Sequence, residues 1–64
     1  MVYTISPANW VRQLGEATSA AQTGDEIHVR NQNQIELANR ALTRLGKTGV
    51  QVKLVEDLRN PMNE

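Results

Sequence analysis

The 64-residue sequence contains no cysteine, no phenylalanine and only one histidine, and Tyr3 and Trp10 are its only aromatic residues. Without cysteine, the chain has neither disulfides nor thiolate metal ligands to reinforce its fold. A single histidine also excludes a multi-histidine zinc site within one chain. A chain this short buries only about 60% of the surface that its unfolded form exposes. We therefore expect a thin core that depends on regular packing or on a second copy of the chain.

Long apolar runs and an excess of one charge are absent as well. No run approaches the roughly 18 apolar residues of a membrane span, and the N-terminal residues lack the basic and apolar regions of a signal peptide. Lysine plus arginine total 7 and aspartate plus glutamate total 7, so the net charge is zero. General polyanion binders usually carry a basic excess instead. We expect a cytoplasmic protein without membrane attachment.

The first third of the chain predicts a strand followed by a helix. Residues 2–5 are mostly β-branched or aromatic, which favours a strand. Ser6 and Pro7 then predict the start of a helix over about 7–22, because serine is a good N-cap and proline suits the first helical position. One stripe of this helix is apolar and consists of Trp10, Leu14, Ala17 and Ala21. Gly24 is expected to end the helix as a left-handed C-cap.

Gly15 lies on the flank of the apolar stripe, where glycine costs about 1 kcal/mol relative to alanine. A close approach of another backbone is one explanation for a glycine at this position. The preferred interpretation is an exposed residue of no consequence.

Two later segments alternate between polar and apolar residues, which is typical of strands that are buried on one face only. They are residues 26–30 and residues 50–55. In the first segment Ile27 and Val29 are expected to point inward. In the second segment the inward residues are Val50, Val52 and Leu54.

A second helix is predicted between these two strands, ending near Leu45. Its start has two capping registers. Asn33 is the N-cap in one, with Glu36 three residues later, and Asn31 is the N-cap in the other, with Gln34 in the later position. Gly46 is expected to end this helix in a left-handed conformation.

The β-α-β-α-β order predicts an α/β fold with a three-stranded parallel sheet, because helical connections usually join parallel strands by right-handed crossovers. Strands that are apolar on one face only indicate that both helices cover the same side of the sheet. Each strand is then added on the same side of the last, which gives the spatial order 1-2-3. We assign residues 1–57 to a single two-layer domain and residues 58–64 to a flexible tail.

The uncovered face of the sheet is predicted to be an interaction surface. Its candidate residues are Tyr3, His28, Arg30, Gln51 and Lys53. Strand 1 is too short to show whether Tyr3 and Ile5, or Val2 and Thr4, face outward. An open sheet with two free edges also favours pairing with another chain.

An anion site is a second candidate, at the carboxyl ends of the strands, where open α/β sheets bind ligands. Both predicted helices begin at this edge, and their free N–H groups attract anions. The candidate residues are Ser6, Arg30, Asn31 and Asn33. Neither loop contains the glycines that let a phosphate approach the backbone, and ordinary helix capping also accounts for these residues.

Binding of RNA or single-stranded DNA is the alternative function. Between residues 28 and 55 there are five basic residues and one acidic residue, and a candidate basic patch consists of Arg40, Arg44 and Lys47. Recognition of single strands combines basic residues with aromatic ones on a sheet, and at most Tyr3 could supply an aromatic ring there.

No sequence feature predicts catalysis. His28 is the only side chain that ordinarily titrates near neutral pH, and no nucleophile accompanies it at a telling spacing. A chain of this size also has little room to enclose a pocket of about 300 Å³ or more. We therefore expect a non-enzymatic adaptor or regulatory domain without cofactor or metal. Its expected partner is another protein, with a homodimer as one form of that pairing.

Overall fold

A computed structural model describes residues 1–55, in which three strands and two helices alternate along the chain. They are β1 (Val2–Thr4), α1 (Trp10–Ala20), β2 (Glu26–Val29), α2 (Gln32–Arg44) and β3 (Gln51–Leu54). The strands form one parallel sheet in the order β1-β2-β3, which confirms the predicted α/β architecture. The flexible tail predicted for residues 58–64 lies outside the described residues.

One face of the sheet is covered by both helices. Tyr3, Ile27 and Val52 are register partners across the three strands, so their side chains share this face, as parallel pairing requires. The helices add their apolar stripes to it and also pack against each other. The buried core consists of Ile5, Leu14, Ala17, Ala21, Ile27, Val29, Ala38 and Leu42.

The central strand is buried far better than its neighbours. Ile27 and Val29 of β2 have no exposed surface, because a strand and part of a helix lie on each side of them. Leu54 pairs in register with Val29 and has the inward parity that the alternation predicts. It is nevertheless 43% exposed, since β3 has a neighbouring strand on one side only.

The first helix begins three residues later than the sequence predicts. Residues 7–9 form a turn, in which the Ser6 hydroxyl accepts a long 3.4 Å hydrogen bond from the Ala8 N–H. The Ser6 N–H donates to the side-chain oxygen of Gln13 at 2.6 Å. Asn9 occupies the N-cap position of α1 without a side-chain capping bond. The prediction that Ser6 caps this helix is therefore wrong, because its hydroxyl serves the preceding turn.

The second helix is capped as its sequence indicates, in one of the two predicted registers. The side chain of Asn31 accepts a 2.9 Å hydrogen bond from the Gln34 N–H. Asn33 instead lies within the helix and is exposed. At the other end Gly46 has a φ of 71°. Its N–H donates to the Thr43 carbonyl oxygen, and the Lys47 N–H donates to the Leu42 carbonyl oxygen. This pair of bonds is a Schellman motif.

The first helix ends without such a glycine motif. Its C-cap, Ala21, is extended, and Gly24 adopts its φ of 98° in the turn that follows. The Lys47 ammonium donates to the carbonyl oxygens of Ser19 and Ala21. A cation from the loop before β3 thus satisfies carbonyls at the end of α1 and complements the helix dipole. The predicted glycine cap of α1 is replaced by this long-range contact.

None of the helices within residues 1–55 has the length and apolar character needed to cross a membrane.

Candidate interaction site

The open face of the sheet contains two rows of side chains that the parallel register brings together. The first row consists of Val2, Glu26 and Gln51. The second row consists of Thr4, His28 and Lys53. Three predicted residues, His28, Gln51 and Lys53, therefore do share this face. Tyr3 does not, because it is in register with the buried Ile27 and packs against the core. Of the two orientations that the sequence left open for this strand, the register selects the one with Val2 and Thr4 on the open face.

Glu26 organises the charges of the open face. Its two carboxylate oxygens contact His28 Nε2 at 2.9 Å and Lys53 Nζ at 3.3 Å. The hydrogen bond from His28, followed by that from Lys53, lowers the pKa of Glu26 below its ordinary value. An ionised carboxylate between two nitrogen groups reduces the positive charge that this face presents. The positive charge of Lys53, a residue predicted to contact a partner, is therefore partly neutralised by Glu26.

Arg30 lies at the carboxyl end of β2, where it binds the end of β1. Its Nε donates a 3.2 Å hydrogen bond to the Ile5 carbonyl oxygen. Its backbone N–H donates to the buried side-chain oxygen of Gln34 at 2.8 Å. The residue is half-buried. Arg30 thus connects the adjacent ends of β2 and β1 through its side chain.

Three residues of the candidate anion site make hydrogen bonds within the fold. Ser6 belongs to the turn before α1, Asn31 uses its side chain as a helix cap, and Arg30 binds the end of β1. Asn33 is exposed on α2. The hydrogen bonds of Ser6, Arg30 and Asn31 are thus made to other groups within the fold. Ordinary capping, the other explanation that the sequence left, accounts for Asn31 but not for Ser6 or Asn33.

The candidate basic patch divides in the same way. Arg40 and Arg44 are exposed on α2, and neither forms an ion pair within residues 1–55. Lys47 is half-buried and is bound to carbonyl oxygens at the end of α1. Of the three side chains, Lys47 is engaged at the end of α1, and the two arginines are exposed.

A groove runs along the outer edge of β1, and we call it the β1 groove. It has a volume of about 480 Å³ and is lined by residues 2–5 of the strand and its end, with Gln13, Glu16, Ala17 and Ala20 of α1. The two alanines leave space between the helix and the strand. The sequence pattern did not indicate this groove, because it depends on how far α1 sits from β1.

A second groove lies between the two helices on the outer side of the helical layer, and we call it the helical groove. Its volume is about 290 Å³, and its lining includes Trp10, Val11, Leu14 and Gly15 of α1 with Leu37 and Ala41 of α2. Val11 is 67% exposed. The sequence signals for this groove are an apolar residue and a glycine beside the buried stripe of α1.

Within residues 1–55, no cluster of three or more histidine, aspartate or glutamate side chains is arranged to hold a metal ion. Comparisons with protein-family models, with curated proteins and with solved structures found no match for this chain. The surfaces described above are therefore the basis on which function is inferred.

Proposed function

We propose that this chain is a small non-enzymatic protein-interaction domain, of the adaptor or regulatory kind, which binds an extended segment of a partner protein along the edge of β1. The observation that carries the proposal is the β1 groove, which lies beside a strand edge that no other described strand covers. Addition of a strand to such an edge is a recurrent mode of peptide recognition.

The backbone of β1 presents hydrogen-bonding groups toward this edge. The Glu26 N–H donates to the Met1 carbonyl, and the Ile5 N–H donates to the His28 carbonyl, both at 3.0 Å. Odd-numbered residues of β1 therefore direct their backbone groups toward β2. Because these groups alternate along a strand, the N–H and C=O groups of Val2 and Thr4 point outward. A docked strand would find its main-chain partners there.

The β1 groove also provides space for the side chains of a docked strand. Successive side chains of such a strand point to opposite faces. One set would enter the groove beside the small residues Ala17 and Ala20, which line it. The other set would lie beside Val2 and Thr4 on the open face. Backbone bonds would supply affinity, and the groove would select the side chains.

The opposite edge of the sheet is less suited to this role. The β3 segment Gln51–Leu54 contains Lys53, and lysine on an edge strand discourages pairing with other chains. The β1 segment Val2–Thr4 contains no charged residue. Of the two edges, β1 therefore favours strand addition, by a partner protein or by a second copy of this chain.

Nucleic-acid binding has less support from the geometry. Tyr3 lies on the covered face, His28 and Lys53 share Glu26, and Lys47 is bound to α1. The aromatic and basic groups that single-strand recognition combines on one surface are thus separated.

A cytoplasmic location remains part of the proposal and rests on the absence of cysteine.

The proposal is tested by selecting binders from a displayed library of random nine-residue peptides and measuring their affinity for two variants at one position. Thr4→Pro removes an outward N–H and places a ring on the β1 edge, where proline is tolerated because that N–H is not used by the sheet. Thr4→Val keeps the N–H. We expect affinity to fall at least about tenfold for Thr4→Pro, since 1.4 kcal/mol corresponds to tenfold, and less than about twofold for Thr4→Val.

Amide chemical shifts should locate the bound peptide at Val2 to Ile5. Sedimentation equilibrium of the protein without peptide tests whether a second copy occupies the same edge, in which case Thr4→Pro should dissociate the dimer. Selected peptides that bind Thr4→Pro as tightly as the unmodified protein would contradict the proposal. So would a failure to select any peptide from a chain that stays monomeric at millimolar concentration.

A further inference from the structure

We propose that the helical groove is a second docking site and that its occupant is an acidic amphipathic helix of a partner protein. This inference concerns a different surface and a different mode of binding from strand addition at β1. It rests on the exposed apolar lining of the groove, on a glycine that the fold does not require, and on the charges beside the groove.

The lining of the groove is apolar and accessible. Val11 is 67% exposed, and Trp10 and Leu37 are half-buried beside it. All three line a single cavity of about 290 Å³ between α1 and α2. Binding sites are typically concave and lined mainly by apolar side chains. The volume suits one or two large apolar side chains that anchor a partner.

Gly15 gives the second observation. It lies in the middle of α1 and lines the groove, where glycine lowers helix stability relative to alanine. A Cβ atom at this position would meet no atom within 4 Å. Its φ is not among the positive values found in the chain. Neither packing nor backbone conformation therefore requires glycine, whereas a partner that approaches α1 closely from outside would benefit from the missing side chain.

The charges beside the groove select the partner. Arg40 and Arg44 follow Leu37 and Ala41 by three residues each, so they lie next to the groove on the outer surface of α2. Both are exposed and form no ion pair in the part of the chain that the structure describes. On α1, Arg12 is paired with Glu16 at 3.6 Å. The positive side of the groove is thus α2, and a partner with carboxylates on its flank complements it.

A helix suits this groove better than a strand, because the groove lies between two helices whose backbone groups are already bonded. An extended peptide would find few main-chain partners there, whereas a helix satisfies its own backbone and buries an apolar stripe. A second copy of this chain is disfavoured as well. A two-fold contact through this surface is self-complementary, and it would bring Arg40 and Arg44 of both copies together.

The test uses two displayed libraries of amphipathic helical peptides about 18 residues long. Both vary Leu, Ile, Phe and Met at the apolar positions i, i+3, i+4 and i+7; one carries glutamate at the flanking positions and the other carries lysine. We expect binders only from the glutamate library. Their affinity should fall at least tenfold for Gly15→Gln, which fills the groove, and about threefold to tenfold for Arg40→Gln.

Matched variants separate this proposal from misfolding and from binding at β1. Gly15→Gln replaces glycine with a better helix former at an exposed site, so its melting temperature should not fall. Gly15→Ala adds a single methyl group to the groove, so it should weaken binding by less than Gly15→Gln does. Lys53→Gln removes the same charge from the open face as Arg40→Gln removes from α2, and it should change the affinity less than twofold, as should Thr4→Pro.

Several results would overturn the proposal. One is the selection of binders from the lysine library. Another is equal affinity of the selected peptides for Gly15→Gln and for the unmodified protein. A third is the absence of binders from both libraries. A homodimer that dissociates in Gly15→Gln but not in Thr4→Pro would also overturn it, because the occupant would then be a second copy.

Discussion

The two faces of the sheet are formed by alternate residues of the same strands, yet their environments differ. In β2, Ile27 and Val29 have no exposed surface, whereas the intervening His28 shares the polar open face with Glu26. The covered face excludes water and packs against two helices. The open face contains an ion-pair cluster that remains in contact with solvent.

This difference predicts which substitutions change the stability of the fold and which change only the binding of a partner. Full burial of a valine or isoleucine side chain contributes about 1.5–3 kcal/mol, while an exposed ion pair contributes about 0–1 kcal/mol. A chain of this size has a total stability of only about 3–10 kcal/mol. The covered face therefore has little tolerance for change, and the open face and the β1 edge can vary with the demands of a partner.

The largest expected effect comes from the same substitution made on opposite faces. Val29→Ala removes buried methyl groups and leaves a cavity, and we expect a loss of about 2–4 kcal/mol. Val2→Ala, at a residue that is 53% exposed on the open face, should cost less than about 0.5 kcal/mol. Urea unfolding followed by circular dichroism measures both changes. Equal losses would mean that the open face is itself covered in solution.

A smaller effect is expected from Gln34, a polar side chain on the covered side of the molecule. Its oxygen accepts the Arg30 N–H at 2.8 Å and the residue is buried. Gln34→Met has a similar length and lacks the acceptor, so a half-buried N–H loses its partner at a cost of about 0.5–1.5 kcal/mol. Gln32→Met, the same exchange at an exposed position of α2, is the control and should be close to neutral. A neutral Gln34→Met would show that water replaces the lost acceptor.

The smallest effect concerns the charges of the open face and appears only in acid. The folded pKa of Glu26 lies below its ordinary value of 4.5, first because of the hydrogen bond from His28 and then because of Lys53. The unfolded chain therefore binds this proton more tightly. The contribution of Glu26 is complete above about pH 4.5 and is lost as the pH falls through the lowered pKa.

Thermal unfolding between pH 6 and pH 2.5 checks this expectation. The melting temperature of Glu26→Gln should fall less steeply with decreasing pH than that of the unmodified protein. Part of the slope should remain, because the Gln22 N–H, among other groups, lowers the pKa of Asp25 as well. Glu16→Gln, which alters an exposed pair on α1, is the matched control. An unchanged slope in Glu26→Gln would show that the cluster does not persist in solution.

The alternation of polar and apolar residues predicted the architecture. Successive side chains of a strand point to opposite faces, and here only one of the two faces is buried. In β2 the pattern Glu26–Val29 specifies which face is covered, and this in turn places both helices on one side. In β1, three mixed residues carry no such pattern, so the sequence left the orientation of Tyr3 open although it named Tyr3 as a candidate for the open face. Its orientation follows from the register with Ile27, which is a long-range property.

Local capping signals were partly sufficient. Asn31 and Gly46 act within a few residues of themselves, and both cap α2 as the sequence indicates. Ser6 has the same type of signal before α1, but its hydroxyl accepts the Ala8 N–H in the turn at residues 7–9 and does not cap the helix. The helix begins at Trp10, after the turn at residues 7–9.

By itself, the sequence determined the order of elements, the parallel sheet, the buried parity of β2 and the glycine end of α2. Each of these depends on periodicity or on neighbours within one turn of chain. Only the tertiary structure decided the orientation of Tyr3, the attachment of Lys47 to the end of α1, and the two grooves. These depend on distances between elements that are far apart in the chain, and no local pattern of residues encodes such distances.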